Sequence, residues 1–236
     1  MKKIVLVVAC LLSFAFLHAQ NVSVEVDILD SPIRKNTNNS DIKINFLSDF
    51  YVGLISPMKS PDEMKARHFG SWELGLDIFN ARFFASSNHN LTLALNFGGR
   101  FFKNRHHKMI SNTGGIFHMQ DYPVGVETNR KKKSRLDVPT IGLAAGYRFV
   151  ISDNFRIGFD VSENYNFGSR IVSKYKLDGH KKKIKKHGFK TENFTTEFRL
   201  TLGLCETDLY IKFAPHSLFK KEYGPKINYL AIGLIL

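Results

Sequence analysis

From Leu136 to Gly168 the chain reads LDVPTIGLAAGYRFVISDNFRIGFDVSENYNFG, with apolar residues at every second position. Ile141, Leu143, Ala145, Tyr147 and Phe149 fall on one face of an extended segment, and Gly142, Ala144, Gly146 and Arg148 on the other. After the polar Ser152-Asp153-Asn154, the residues Phe155, Ile157, Phe159 and Val161 alternate with Arg156, Gly158, Asp160 and Ser162. Period two kept this long, around a short polar turn, predicts two long antiparallel strands joined as a hairpin. One face is bulky and apolar. The other mixes glycine with charges of both signs, which an ordinary core does not bury.

The same alternation recurs along the chain. Ile44, Phe46, Phe50, Val52 and Leu54 share a face, with Ser48 the one exception; Trp72, Leu74, Leu76 and Ile78 oppose Glu73, Gly75 and Asp77. Leu91, Leu93, Leu95, Phe97 and Phe101 oppose Thr92, Ala94, Asn96, Gly98 and Arg100. Phe194, Phe198, Leu200, Leu202 and Leu204 oppose Glu197, Arg199 and Thr201; Leu209, Ile211 and Phe213 oppose Tyr210 and Lys212; INYLAIGLIL closes the chain. With the central hairpin this predicts eight strands over residues 42–236, joined by connectors that alternate long and short. An even number of antiparallel strands closes on itself and leaves no edge. The expected fold is all-β: an eight-stranded antiparallel up-and-down transmembrane β-barrel.

The chain opens MKKIVLVVACLLSFAFLHAQ, a basic start followed by an apolar run from Ile4 to Leu17 that is too short to span a bilayer comfortably as a helix. Residues 1–19 read as a secretory signal peptide ending at Ala19. The Val7-Val8-Ala9-Cys10 tetrad is like a lipoprotein site but comes too early, with more of the apolar run after it. Residues 20–41 pass from an alternating VSVEVDI into a linker-like DSPIRKNTNNSD and are expected to form an N-terminal periplasmic segment or plug outside the barrel. Cys205 is left as the one cysteine after the leader, so no intramolecular disulfide is available. The net charge of +13 includes Lys2 and Lys3 of the leader and points to an anionic neighbour; export argues against nucleic acid.

A soluble lipocalin-like barrel would use the same alternation with the faces exchanged. The glycine-rich polar face, strands longer than the roughly 9 to 11 residues a tilted crossing needs, and aromatics such as Trp72, Tyr147 and Tyr165 near strand ends favour the membrane arrangement. The expected localisation is the outer membrane. Glu73, Asp77, Arg100, Arg148, Arg156, Asp160, Glu197, Arg199 and Lys212 are then lumen charges, expected to pair across neighbouring strands as a packed plug. A water-filled path, and with it a narrow solute pore, is the alternative. Glu163 falls on the lipid face and is expected at the rim or on a bulge.

The run RLDVPTIGLAAGYRF resembles a strand of the PorT-like and related outer-membrane β-barrel proteins of Bacteroidota. The pair FGSWELGLDIF and LTLALNFGGRFF looks like the neighbouring hairpin of those proteins, and YGPKINYLAIGLIL is similar to their last turn and strand. The resemblance covers about Ile42 to Leu236. It implies a small eight-stranded barrel, brings no catalytic residue with it, and does not separate the branch tied to secretion and gliding machinery from its relatives.

Lipid A hydrolases and acyltransferases of this size use histidine, serine and carboxylate. His216 and Ser217, at the outer end of the seventh strand, are the one adjacent pair of that kind, and neighbours on a strand face opposite ways. His106, His107 and His118 sit in a long connector without other ligands at metal spacing, so no cofactor, metal or catalytic residue is assigned. The basic extracellular loops are the strongest functional signal: Arg130, Lys131, Lys132 and Lys133 on one, and Lys181, Lys182, Lys183, Lys185 and Lys186 on the next. They fit a non-enzymatic surface-interaction or envelope-structural role. The expected partners are outer-membrane lipid and lipopolysaccharide, or an anionic glycan or protein at the outer surface.

Overall fold

The computed structural model describes residues 24–27, 42–58, 70–104, 108–126, 132–152, 154–205 and 207–236. The signal peptide expected over 1–19 lies outside the described residues. In chain order the described strands are β1 (Val24–Asp27), β2 (Ile42–Phe46), β3 (Phe50–Pro57), β4 (Ser71–Ser86), β5 (His89–Lys103), β6 (Met109–Thr113) and β7 (Ile116–Gln120). They continue with β8 (Lys133–Ser152), β9 (Phe155–Asn166), β10 (Arg170–Leu177), β11 (His180–His187), β12 (Phe194–Leu204), β13 (Thr207–Ala214) and β14 (Tyr229–Ile235).

β3, β4, β5, β8, β9, β12, β13 and β14 each run antiparallel to the next, and β14 returns to β3 through Tyr229↔Pro57 to Ile235↔Tyr51. The ring is a closed eight-stranded up-and-down barrel. Its outer wall is apolar, with Leu143 68%, Ile232 54% and Ile211 45% exposed, while Glu73 and Asp77 inside are 1% and 2% exposed. That inversion of an ordinary core is the arrangement a closed barrel needs in a bilayer, with apolar side chains outward and charges inward. Aromatic pairs sit toward both ends. Trp72 stacks on Phe101 at 4.2 Å and Tyr165 lies 5.4 Å from Phe194 near the long connectors; Phe149 lies 5.0 Å from His89 near the short turns.

The first barrel strand is broken. β2 pairs with the far half of β4 (Ile42↔Phe83 to Phe46↔Phe79) and β3 with the near half (Phe50↔Leu76 to Ile55↔Ser71). Leu47 takes φ 53 at the break, and the β4–β5 register shifts between Asp77 and Phe79 beside it. Ser48, the exception in the alternation, occupies this bulge, where its N–H donates to the Asp77 carbonyl at 3.1 Å. The bulge also flips the parity of β4, so Asn80 is buried inward after it, as Asp77 was before it. β14 does not reach β2, whose other edge is taken by β1 in parallel, Val24↔Ile42 to Asp27↔Asn45.

The long connectors carry more structure than their polarity suggests. The connectors over 103–135 and 169–190 each hold a β-hairpin: β6–β7 across Gly114-Gly115 and β10–β11 across Asp178-Gly179. Both central residues of each turn have positive φ (63 and 88; 47 and 80), which matches the twist of a two-residue hairpin. β10 also pairs with the first residues of β8, Lys174↔Lys133 to Arg170↔Asp137, so β8, β10 and β11 form a three-stranded sheet that rises past the barrel rim. Between this sheet and the last connector, Phe117 packs on Phe219 (4.9 Å) and Phe189 (6.3 Å) among buried Phe102, Ile110, Leu136 and Leu218. This apolar lid covers the long-connector mouth.

Candidate functional site

Beneath the lid the lumen is a network of ion pairs. The Arg100 guanidinium lies 2.5 Å from Glu197, and Lys212 Nζ lies 2.9 Å from Glu73 and 3.6 Å from Glu197. Tyr210 donates its hydroxyl to Glu73 at 2.8 Å and Tyr229 donates to Glu197. The rings of Tyr51 and Tyr210 lie 4.5 and 5.4 Å from Lys212 Nζ, adding cation–π attraction to the buried ammonium. Further down, Arg199 donates to Asp160 at 3.0 Å; Arg156 lies 2.5 Å and Arg148 4.0 Å from Asp208; and Asp49 lies 3.8 Å from Arg148 and 3.7 Å from Arg82.

Each lumen charge expected from the sequence is thus placed on the inner wall. Asp77 sits among them, 2% exposed and outside the ion pairs described above. Three partners were not named among the lumen charges: Asp49 and Arg82, which face each other across the bulge, and Asp208, whose strand begins at Thr207, two residues before Leu209. Parity alone could have found Arg82, because Phe79, Ala81 and Phe83 continue the apolar face after a double apolar step at Ile78-Phe79. Glu163 is half-buried and accepts a 2.7 Å hydrogen bond from Thr196, which holds the carboxylate against the neighbouring strand. Two small cavities interrupt the packing: about 10 Å³ bounded by Asn96, Asp160, Glu197 and Arg199, and about 30 Å³ under the lid by Phe102, Phe117 and Leu136. The first has room for about one water.

The surplus positive charge lies above the rim, on the β8–β10–β11 sheet. Directly paired residues point to the same side, so one face carries Asp137–Arg170–His187, Arg135–Val172–Lys185, Lys133–Lys174–Lys183 and Lys176–Lys181 in successive rows. Asp137, the one acid in these strands, is held by Arg135 at 2.6 Å and Arg170 at 3.3 Å. The opposite face is packed: Ile171 is buried, Ser173 shares a 2.8 Å hydrogen bond with Ser134, and the Tyr175 ring lies 5.5 Å from Tyr122. Burial and then Tyr175 push the Tyr122 phenol up to about 12, so its ring stays neutral beneath Lys132 Nζ, 5.5 Å away.

The residues expected on two basic loops are therefore sorted by a sheet. Lys181, Lys183 and Lys185 share the open face with Lys133. Lys182 and Lys186 turn to the packed side, where Lys186 donates to Ser111 at 3.0 Å. Lys174, Lys176, Arg135 and Arg170 join the open face, and were not singled out because they are interleaved with Val172 and Tyr175. Arg130 and Lys131 lie outside the described residues.

No protein-family model and no curated protein matches the sequence. Among solved structures the chain is similar to Ail, the attachment invasion locus protein of Yersinia pestis, at 11% identity over 80% of this chain and 97% of that one, with a TM-score of 0.31. A likeness of that depth transfers no residue role.

The other chemical candidates are dispersed. His216 and Ser217 lie beyond the end of β13, not within a strand as the sequence suggested. The Ser217 hydroxyl accepts from the N–H groups of Phe219 and Ile227, each at 3.4 Å, and so shapes the last connector. His118 is tied to its own hairpin through Thr113 at 3.4 Å. His106 and His107 lie outside the described residues. Among the described residues no group of His, Cys, Asp and Glu is arranged to hold a metal.

Proposed function

We propose that this protein is a non-enzymatic outer-membrane barrel that acts at the cell surface through its basic sheet, its long connectors outward and its short turns in the periplasm. The observation that carries this reading is the division of charge. Lumen cations face lumen carboxylates within the barrel, whereas the rim sheet presents lysines in rows whose single acid is already engaged. Such a surface meets an anionic partner: lipopolysaccharide, an acidic glycan or an acidic protein. The apolar lid and the ion-paired lumen favour a packed scaffold over a solute pore. The PorT-like resemblance adds the envelope of Bacteroidota as the setting.

Binding of purified lipopolysaccharide to the detergent-folded barrel is expected to weaken steeply with salt. It should fall when Lys131 to Lys133 and Lys181 to Lys186 are neutralised to glutamine at each lysine, with the folded band in unheated gels unchanged. Salt-insensitive binding that survives the substitutions would sink the proposal.

Orientation has a separate test. Cys205 is exposed in the short turn after β12, at φ 55. A membrane-impermeant maleimide is expected to label it only once the periplasm is opened. Labelling in intact cells would reverse the topology.

A further inference from the structure

We propose that the open face of the β8–β10–β11 sheet docks the phosphate groups of lipids packed against the barrel, with Lys133, Lys174 and Lys183 as the row that holds them. This rests on the anion-binding reading above and narrows it to one source.

Two observations on the same face carry the inference. Lys174 is paired directly with Lys133 on one side and Lys183 on the other, and all three are exposed. Like charges directly opposite one another destabilise a sheet. The sheet is kept by its packed side, so the like charges stay juxtaposed on the open side, where a bound anion relieves their repulsion. Neighbouring strands lie about 5 Å apart, which lets one phosphate accept hydrogen bonds from two ammonium groups at once.

The second observation is where that face leads. Residues 133, 135 and 137 share the parity of Ile141 and Leu143, which are 37% and 68% exposed on the lipid wall, and the β8 register is unbroken between them. The Arg135 guanidinium lies 5.2 Å over the Phe101 ring, which stacks on Trp72. A lipid chain lying along Leu143 and Ile141 therefore carries its headgroup past the aromatic pair to Arg135 and then to the lysine row. A soluble polysaccharide has no use for this continuity between apolar wall and cation row. Lys182 and Lys186, equally basic in sequence, are turned to the other side and take no part.

The test uses the full chain in nanodiscs of phosphatidylcholine containing bis-phosphorylated lipid A, extracted into detergent, with retained lipid A per barrel counted by mass spectrometry. Lipid A is expected to be retained, and the triple variant K133Q/K174Q/K183Q to hold on the order of a hundredfold less. The arginine row K133R/K174R/K183R should retain it, as should K220Q/K221Q/K226Q, which removes equal charge from the last connector. Lipid A stripped of phosphate should be retained no better than phosphatidylcholine.

Equal retention by the glutamine row, or of the dephosphorylated lipid, overturns the proposal. Heparin binding to the detergent-solubilised barrel separates the two readings. If heparin binds and lipid A is not retained, the lipid assignment falls while the anion-binding surface stands. If neither is held, both fall.

Discussion

Replacing Glu197 with glutamine is expected to destabilise the folded barrel by about 3 to 5 kcal/mol, the range for removing one partner of a buried ion pair. Glu197 is 2% exposed and lies between two cations, Arg100 at 2.5 Å and Lys212 at 3.6 Å. Its loss leaves Glu73 as the one carboxylate shared by that group and strands Arg100, whose remaining hydrogen-bond partners are Asn166 at 3.0 Å and Thr195 at 3.4 Å. Neutral oxygens do not replace a charge at that depth. Urea unfolding in lipid vesicles, followed by the fluorescence of Trp72, the only tryptophan, measures the shift.

Two comparisons decide whether burial sets the size of that effect. The double variant R100Q/E197Q should cost less than the sum of its single changes, because it removes the pair and restores charge balance. Arg170→Gln, whose ion pair to Asp137 is 45% exposed on the arginine side, should cost no more than about 1 kcal/mol. Equal costs at Glu197 and Arg170 would mean that the lumen is wet and screened.

The barrel was legible because lipid and lumen impose opposite demands on alternate residues, and period two survives unbroken through Ile141 to Phe149 and Leu200 to Leu204. It failed where the backbone changes phase at a mark as small as the double apolar step Ile78-Phe79. The bulge at Leu47 and Asp77–Phe79 reverses the faces of β4, and so the Asp49–Arg82 contact was hidden. The basic connector was misread for a different reason. Lysine is a poor strand former, and HKKKIKKH has no apolar face of its own. It becomes a strand because the apolar residues that pay for its order, Ile171, Val172 and Tyr175, stand on its partner β10. Asp178-Gly179 was the local sign of that hairpin. Which lysines face outward then depends on register, which the lysine run itself does not encode.

A methyl group at Gly233 is expected to be as damaging as a lost lumen charge. Gly233 pairs with Gly53 on the seam where β14 meets β3 and the barrel closes. A Cβ there would overlap the Val52 carbonyl oxygen, the Gly53 Cα and the Tyr210 ring. Two of those three are backbone, so the clash cannot be relieved by turning a side chain. Moving the third displaces Tyr210, whose hydroxyl donates to Glu73 at 2.8 Å, and exposes the top of the charge network. Gly233→Ala should therefore cost at least about 3 kcal/mol, the upper end of what overpacking does, and should slow closure, seen as loss of the compact band in unheated gels. Gly158→Ala is the control, since its nearest neighbours are the flexible Arg148 side chain at 3.3 Å, which can give, and Thr201 Cβ at 3.5 Å, an ordinary van der Waals contact. A Gly233→Ala protein that folds and unfolds like the control would show that the seam is looser than this ladder, and that the two glycines are not what allows the last strand to meet the first.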